Sequence, residues 1–224
     1  SAIDPNHIYD VAIIGAGPMG ISAALLAEGR GHQVTVLEKD DIGASLLRWG
    51  MVRFFTPLVM NLPQSAATLA GVSLPPGDAI LTGSEMVETV LRPLSRSPRL
   101  AGRILTGHTV VAVGRAGLLR GEHAGHPLRA ERPFRLLVRH RLERDRMDER
   151  TIESDAVLDA SGVYDTPAWT GAGGIPAIGE AALGDRIIRH LGLIEDRRAS
   201  LSGRSVLLVG NGHSAANALL MLEA

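Results

Sequence analysis

The sequence predicts an α/β fold in which buried parallel strands alternate with helices. The main observation is a pattern that occurs twice, as VAIIGAGPMG at 11–20 and as VLLVGNGHSA at 206–215. Each copy begins with an apolar run of strand length, continues through a glycine-rich turn, and leads into a stretch rich in alanine and leucine that favours a helix. Strands that alternate with helices in this way are typical of a parallel sheet.

The composition of the 224 residues limits the classes of protein to which the chain can belong. An apolar fraction of 45% with 21% charged residues is typical of a globular chain, and a net charge of −1 gives no basis for binding nucleic acid or an anionic membrane. No apolar run approaches the ~20 residues of a membrane helix and no signal peptide is visible, so we expect a cytoplasmic location. The chain has no cysteine, which excludes a dithiol relay within it, and its histidines lack the paired spacing of a metal site.

The first glycine turn has the spacing of a dinucleotide-binding loop. Residues 9–14 should enter it as a strand, and residues 21–28 should leave it as a helix whose N-terminus can bind a pyrophosphate. The first glycine makes the tight turn, the second lets the backbone approach the phosphates, and the third lets the helix pack on the strand. The residues of this turn that we expect to contact a cofactor are Gly15, Gly17, Pro18, Met19 and Gly20.

An acidic residue follows the next predicted strand, which covers 34–37. Glu38 lies about 20 residues beyond Gly20, the distance at which an acid reaches the 2′-hydroxyl of a ribose. A carboxylate there would repel a 2′-phosphate, so this site should hold FAD or NAD rather than NADP. Lys39 either packs along the adenosine half or lies in solvent. The alternative is a glycine turn with an incidental surface glutamate.

The sequence GAGPMG, followed by Leu37, Glu38 and Lys39, resembles the FAD-binding half of the two-dinucleotide flavoprotein oxidoreductases. This group includes flavin-containing, Baeyer–Villiger and N-hydroxylating monooxygenases and the pyridine-nucleotide disulfide reductases. The resemblance implies a Rossmann-like FAD-binding domain at 1–203, with three layers, a parallel sheet and a small antiparallel insertion. It also implies that 204–224 begin a second, incomplete Rossmann-like domain for NAD(P)H.

A second resemblance lies at 157–167, VLDASGVYDTP. It is similar to the strand that ends in an Ala-Thr-Gly-type turn in this family, with Ala160, Ser161 and Gly162 as the turn. Pro167 would mark the crossover toward the NAD(P)H domain. The resemblance implies that the three turn residues contact the cofactor.

The resemblance implies that the segment at 42–60 runs beneath the flavin. Its candidate wall residues are Trp49, Arg53, Phe54, Phe55 and Thr56, for which core packing is the alternative. Asn61 resembles an asparagine that flavin-containing monooxygenases place near the reactive flavin carbon. Asn61 and Thr56 are therefore the catalytic candidates, while Arg48 and Arg53 either contact the cofactor's phosphates or face solvent.

The middle of the chain predicts one further helix and three strands. Thr82 and Glu85 have the spacing of a capping box that begins a helix ending near residue 94. Strands are predicted at 109–113, 134–140 and 151–159, with a charged hairpin tip between the last two. In the family the first of these strands touches the adenine, which points to Val110 and Val111.

The second glycine turn predicts a strand at 205–209 and a binding site for NAD(P)H, with NADPH slightly favoured. The residues that we expect to contact this nucleotide are Gly210, Gly212, His213 and Ser214. The chain stops at Ala224, within the helix that follows this turn. We therefore expect a fragment that binds FAD poorly and does not turn over by itself.

The resemblance implies an enzyme in which NAD(P)H reduces FAD and a second substrate reoxidises it. Oxygen with a small-molecule substrate, as in monooxygenases, is the leading acceptor, although 184–190 lack the monooxygenase spacing of phenylalanine, glycine and histidine. A thioredoxin-reductase-like enzyme with its CxxC outside this chain is one alternative. A non-catalytic flavin or NAD sensor and an NAD-only dehydrogenase are two others. We expect no nucleic-acid or membrane partner and no metal, and a homo-oligomer remains open.

Overall fold

The computed structural model describes residues 7–142, 146–166 and 168–223, and it confirms an α/β fold. The described strands form one sheet in the order β3-β2-β1-β6-β5-β4. Strands β3, β2, β1 and β6 are parallel, and β6, β5 and β4 are antiparallel. The bounds are β1 Ile8–Ile14, β2 Val34–Leu37, β3 Ile104–Leu105, β4 His108–Arg115, β5 Phe134–Arg141 and β6 Met147–Asp159.

Strand β6 belongs to both parts of the sheet. Its first half pairs with β5, and its second half, from Glu153 to Asp159, pairs in parallel with β1. Strands β4 and β5 therefore form the antiparallel insertion that the sequence predicts. The start of β4 contacts the parallel strands directly. The N–H of His108 donates to the carbonyl of Glu38, just after β2, at 2.8 Å.

The helices are mostly short, apart from those that follow the two glycine turns. The predicted helix near residue 94 is continuous from Gly83 to Ser95, with a π-helical turn over Val87–Leu91. The bounds are α1 Pro18–Glu28, α2 Ala44–Leu47, α3 Leu58–Asn61, α4 Gln64–Ala70, α5 Gly83–Met86, α6 Arg92–Ser95, α7 Pro127–Ala130, α8 Glu180–Leu183, α9 Gly192–Asp196, α10 Arg198–Leu201 and α11 His213–Glu223.

The core occupies both faces of the sheet, which gives the three predicted layers. Successive strand residues point to opposite faces, so Ile13 and Val36 pack against α1, α4 and α5–α6, while Ala12 and Leu37 pack against Leu136 of the antiparallel arm. All five of these side chains are buried. Burial on both faces explains why β1 ends in the apolar run at 11–14 and why β2 has one polar residue, the buried Thr35.

The capping box is confirmed at the start of α5. The hydroxyl oxygen of Thr82 accepts from the N–H of Glu85 at 3.1 Å, and the N–H of Thr82 donates to the carboxylate of Glu85 at 2.7 Å. The hydrogen bond from the Thr82 N–H, followed by the interaction of the Thr82 hydroxyl with the carboxylate, lowers the pKa of the Glu85 carboxyl.

The predicted strand at 205–209 is wrong. These residues form no strand, and no described strand lies beside them to pair with their backbone groups. Leu207 and Val209 are exposed. An apolar run becomes a strand only when a neighbouring strand supplies hydrogen-bond partners and a surface on which to bury it.

Three further expectations have separate outcomes. Strands β5 and β6 pair as far as Arg141 and Met147, with exposed ion pairs such as Arg139–Glu149 at 2.8 Å, whereas the predicted charged tip includes 143–145, which lie outside the described residues. Pro167, predicted to mark the crossover, lies outside the described residues. No helix among the described residues has the length and apolar character needed to cross a bilayer.

Candidate functional site

The glycine turn between β1 and α1 is too crowded for side chains at two of its three glycines. A Cβ on Gly15 would lie 2.5 Å from the carbonyl oxygen of Ala160, and its φ of +100° disfavours other residues. A Cβ on Gly20 would lie 1.9 Å from the carbonyl oxygen of Gly15. These contacts hold the start of α1 tightly against β1 and β6, as predicted for the first and third glycines.

The middle glycine faces open space. A Cβ on Gly17 would meet no atom within 4 Å, and its φ of −82° is allowed for any residue. Gly17 is the N-cap of α1 and makes no side-chain cap, so the N–H groups of Met19 and Gly20 have no intrahelical acceptor. Met19 is 64% exposed. The uncapped N–H groups of the turn and the positive end of the helix dipole therefore face the open space beside Gly17.

The carboxylate of Glu38 lies at the tip of this turn. One of its oxygens accepts from the N–H of Ala16 at 2.7 Å and the other accepts from the N–H of Asp40 at 2.9 Å. The residue is only 8% exposed. Its position beside the open end of α1 is the one that a ligand of a ribose hydroxyl requires, and that role remains a prediction.

The Ala160–Ser161–Gly162 turn lies directly beside the first glycine. The N–H of Ala160 donates to the carbonyl of Ile14 at 2.9 Å, which extends the β1–β6 ladder to the turn. The backbone N–H of Ser161 donates to the Asp159 carboxylate at 3.0 Å, and Gly162 has a φ of +73°. Hydrogen bonds from the Ser161 hydroxyl and backbone lower the pKa of Asp159. The structure thus brings two separate sequence motifs together at the carboxyl end of β1.

An ion cluster that sequence reasoning missed lies beside this edge. The Asp165 carboxylate forms ion pairs with Lys39 and with Arg48, the latter at 3.0 Å. Hydrogen bonds from both cations lower the pKa of the Asp165 carboxyl, and the bond from Lys39 has the larger effect. The Tyr164 hydroxyl donates to the carbonyl of Arg48 at 3.1 Å, and the Arg48 guanidinium lies 4.7 Å from the centre of the Tyr164 ring. The one sequence signal is that two of these residues follow the ends of strands β2 and β6.

The predicted flavin-wall residues divide into two groups. Trp49 and Phe54 contact each other with ring centroids 4.8 Å apart and pack against the main core. Phe55 is half exposed and stacks on His213 at 5.1 Å. Arg53 donates to the carbonyl of Ile80 at 2.9 Å and approaches the Glu85 carboxylate, so core packing and surface pairing account for three of these side chains.

Thr56 and Asn61, the catalytic candidates, bond to each other. The Thr56 hydroxyl donates to the Asn61 amide oxygen at 3.0 Å. The Asn61 nitrogen donates to the carbonyls of Thr56 and Pro57, each at 3.0 Å. Both amide hydrogens are therefore used within the turn before α3, which gives Asn61 a structural role, and a catalytic role for either residue stays a prediction.

Val110 and Val111 lie near the start of β4, where a bulge interrupts the pairing with β5. Val110 packs against the smaller core and Val111 is 44% exposed. Their strand starts at His108, whose N–H donates to the carbonyl of Glu38, so both valines lie within three residues of a backbone contact with the proposed ribose ligand. Contact with an adenine remains a prediction.

The second glycine turn is not assembled as a strand–turn–helix unit. Gly210 has a φ of +131° and a Cβ on Gly212 would meet nothing within 4 Å. His213 begins α11 and its ring stacks on Phe55, while Ser214 lies in the first turn of that helix. The role of these four residues in binding a second nucleotide remains a prediction.

A buried carboxylate holds the segment after β6 together. Glu180 is 4% exposed and accepts from the N–H of Ala177 at 2.8 Å, the hydroxyl of Thr170 at 2.9 Å and the guanidinium of Arg189 at 2.9 Å. These donors lower the pKa of Glu180 to about 2, the Ala177 N–H most of all. The guanidinium of Arg189 also lies over the ring of Trp169 at 4.6 Å. This cluster is structural, since every donor comes from the same segment.

The first site combines groups whose chemistry suits an anionic nucleotide. It has uncapped backbone donors, a carboxylate for hydroxyl groups and two nearby cations. Among the described residues no cluster of histidine, aspartate or glutamate has the grouping of a metal site, and the whole chain has no cysteine.

Comparisons with known proteins agree with this description. Residues 10–172 match the family model described as FAD dependent oxidoreductase. Over 44 residues the chain is 46% identical to the glutamate synthase (NADPH) small chain of Mycobacterium tuberculosis, and over 44 residues it is 43% identical to dihydrolipoyl dehydrogenase of Chlorobaculum parvum. Each alignment covers 20% of this chain and 9% of the relative.

Among solved structures, the bacillithiol disulfide reductase of Bacillus cereus has the same fold. The superposition has a TM-score of 0.54 at 20% identity and covers 74% of this chain and 43% of the reductase. The chain spans about a tenth of the length of the curated relatives that it matches and less than half of the reductase.

Proposed function

The chain belongs to the FAD-dependent oxidoreductase family, and we propose that its first glycine turn and Glu38 hold the ADP half of FAD. The observation that carries this proposal is the pairing of the Glu38 carboxylate with the Ala16 N–H at 2.7 Å, beside an uncapped helix N-terminus. A diphosphate suits the helix end, because backbone donors and the helix dipole both favour negative charge. A ribose hydroxyl suits the carboxylate.

The residues around the turn fit this cofactor in shape as well as in charge. Gly17 leaves open the space that a diphosphate needs for a close approach, while Gly15 and Gly20 keep the helix end fixed beside Ala160. When it is bound, the flavin supplies the two-electron chemistry, which amino-acid side chains do not provide. The chain's own residues bind and orient the nucleotide end, and the buried Glu38 disfavours a 2′-phosphate.

We further propose that NAD(P)H, with NADPH slightly favoured, is the reductant, and that oxygen with a small-molecule substrate is the acceptor. The second glycine turn, with Gly210 and Gly212, supports the first part. The absence of cysteine from the 224 residues favours an oxygen acceptor over a dithiol within this chain. A thioredoxin-reductase-like enzyme with its dithiol elsewhere and a non-catalytic sensor are the competing proposals.

An anaerobic absorbance experiment on the native protein at its full length separates these proposals. The protein is loaded with FAD and mixed with NADPH or with NADH. The proposal predicts a bound flavin spectrum that bleaches with the reductant and returns, with oxygen uptake, when air is admitted. A bound flavin that never bleaches would favour the sensor, and NAD binding without flavin would favour a simple dehydrogenase. Recovery only with a disulfide substrate would favour the reductase.

The cytoplasmic location and the partners also stand as proposals. A small-molecule substrate is expected because nothing in the charge of the chain, −1 overall, favours a nucleic acid. Fractionation of cells followed by immunodetection tests the location. Light scattering of the purified protein tests whether it forms a homo-oligomer.

A further inference from the structure

The Asp165 cluster joins segments that follow the strands on either side of β1. Lys39 follows β2 and Asp165 follows β6, and β1 lies between these two strands in the sheet. Neighbouring strands are about 4.8 Å apart, so β2 and β6 are separated by roughly 10 Å, which an extended lysine and an aspartate can span together. The Lys39–Asp165 pair therefore links the segments that follow the two strands on either side of β1.

Arg48 joins this pair from a segment that is itself attached to the turn. The N–H of Gly43, just before α2, donates to the carbonyl of Ala16 at 3.2 Å. Arg48 follows the same short helix and binds Asp165 at 3.0 Å, with a second contact of 3.4 Å. Both cations are thus held near the tip of the glycine turn by the backbone of their own segments.

The aspartate is also held in place. Tyr164, its neighbour in sequence, donates to the carbonyl of Arg48 at 3.1 Å and stacks on His190 with ring centroids 3.9 Å apart. The side chains of Lys39, Arg48 and Asp165 remain 44–46% exposed, so water and an entering ligand can reach them. Exposed ion pairs of this kind are weak and exchange partners readily.

We propose that Asp165 is an internal counter-ion that competes with the nucleotide diphosphate for Lys39 and Arg48. In the ligand-free chain it pairs with both cations and offsets one of their two charges, and a diphosphate entering the glycine turn takes them over because it carries more negative charge than one carboxylate. Asp165 thereby sets the affinity of the site for phosphorylated ligands and its dependence on salt. This inference rests on the proposed function, since it requires a dinucleotide in the first turn.

Removal of the competing charge should strengthen the binding of a phosphorylated ligand and leave a neutral one unchanged. For Asp165→Asn we expect ADP to bind about three- to tenfold more tightly at low salt, and we expect this gain to shrink as salt screens the two cations. Adenosine, which lacks phosphates, should bind the variant and the wild type equally. A purely structural role for Asp165 would weaken both ligands together.

The experiment titrates the 224-residue chain with ADP and with adenosine by calorimetry, at low and high salt. Asp155→Asn is the matched control, because it removes the same charge from an exposed position within β6, away from its carboxyl end. Lys39→Gln should weaken ADP but not adenosine, and Asp165→Asn should have little effect in that background. If Asp165→Asn does not fold, Lys39→Gln alone carries the test.

Unchanged or weaker ADP binding by a folded Asp165→Asn variant would overturn the inference. So would equal effects of Lys39→Gln on ADP and adenosine. The proposed function has a separate readout, since ADP binding that Glu38→Ala does not weaken would place the nucleotide elsewhere. The two proposals can therefore fail independently.

Discussion

Substitution of Gly17 by alanine separates the binding role of the glycine turn from its structural role. The added Cβ meets no atom within 4 Å and the φ of −82° suits alanine, so the fold should accept the change. Alanine lowers the entropy of the unfolded chain, worth about 0.4–1 kcal/mol, but it is a poorer N-cap than glycine by a similar amount. The free energy of unfolding should therefore change by less than about 1 kcal/mol.

The same methyl group stands in the space through which a diphosphate would reach the amides of Met19 and Gly20. Loss of one hydrogen bond to a charged ligand costs about 1.5–3 kcal/mol, which corresponds to a roughly ten- to hundredfold rise in the Kd for ADP. Calorimetry measures the Kd, and thermal unfolding measures the stability. Gly114→Ala is the matched control, because a Cβ there also meets nothing and the residue lies on β4. ADP binding by Gly17→Ala at wild-type strength would refute the argument.

Three further predictions concern stability. Gly20→Ala places a Cβ 1.9 Å from the carbonyl oxygen of Gly15 and should lower the free energy of unfolding by about 1–3 kcal/mol. Thermal unfolding should show this as a drop in Tm of roughly 2–4 °C per kcal/mol. An unchanged Tm would contradict the close packing at the turn. The pKa of Glu180 is lowered to about 2, so its contribution to the free energy of unfolding is complete above pH 4.5 and is lost as the pH falls toward 2. In denaturant titrations at a series of pH values, Glu180→Gln should therefore reduce the loss of stability in acid. Glu149→Gln, which removes a carboxylate from an exposed ion pair, should not reduce it. Burial lowers the pKa of His108 from 6.5, so the unfolded chain binds the proton more readily than the folded chain. The free energy of unfolding should therefore fall as the pH drops below about 6.5. His108→Gln should reduce this loss of stability, and His123→Gln, in an exposed loop, should leave it unchanged.

Local patterns in the sequence predict the first site well because its parts are close together along the chain. The strand, the three glycines and the helix at 8–28 are one continuous segment, and Glu38 follows the adjacent strand. Each glycine has a distinct steric demand, so its spacing carries information about geometry. The capping box at Thr82 is predictable for the same reason, since both of its hydrogen bonds join residues three apart.

The predictions that fail or fall short depend on residues distant in sequence. The run at 205–209 has the composition of a strand, but composition does not supply the neighbouring strand that would pair with it. Asp165 and Lys39 are 126 residues apart in sequence, and they meet because the strands that precede them, β6 and β2, lie on either side of β1.

A crystal structure of the chain with ADP tests the central claim most directly. The account predicts the diphosphate against the amides at the start of α1 and a ribose hydroxyl on the carboxylate of Glu38. ADP bound at another place, such as the surface cavity beside Arg92, Arg96 and Thr106, with the glycine turn empty, would contradict it.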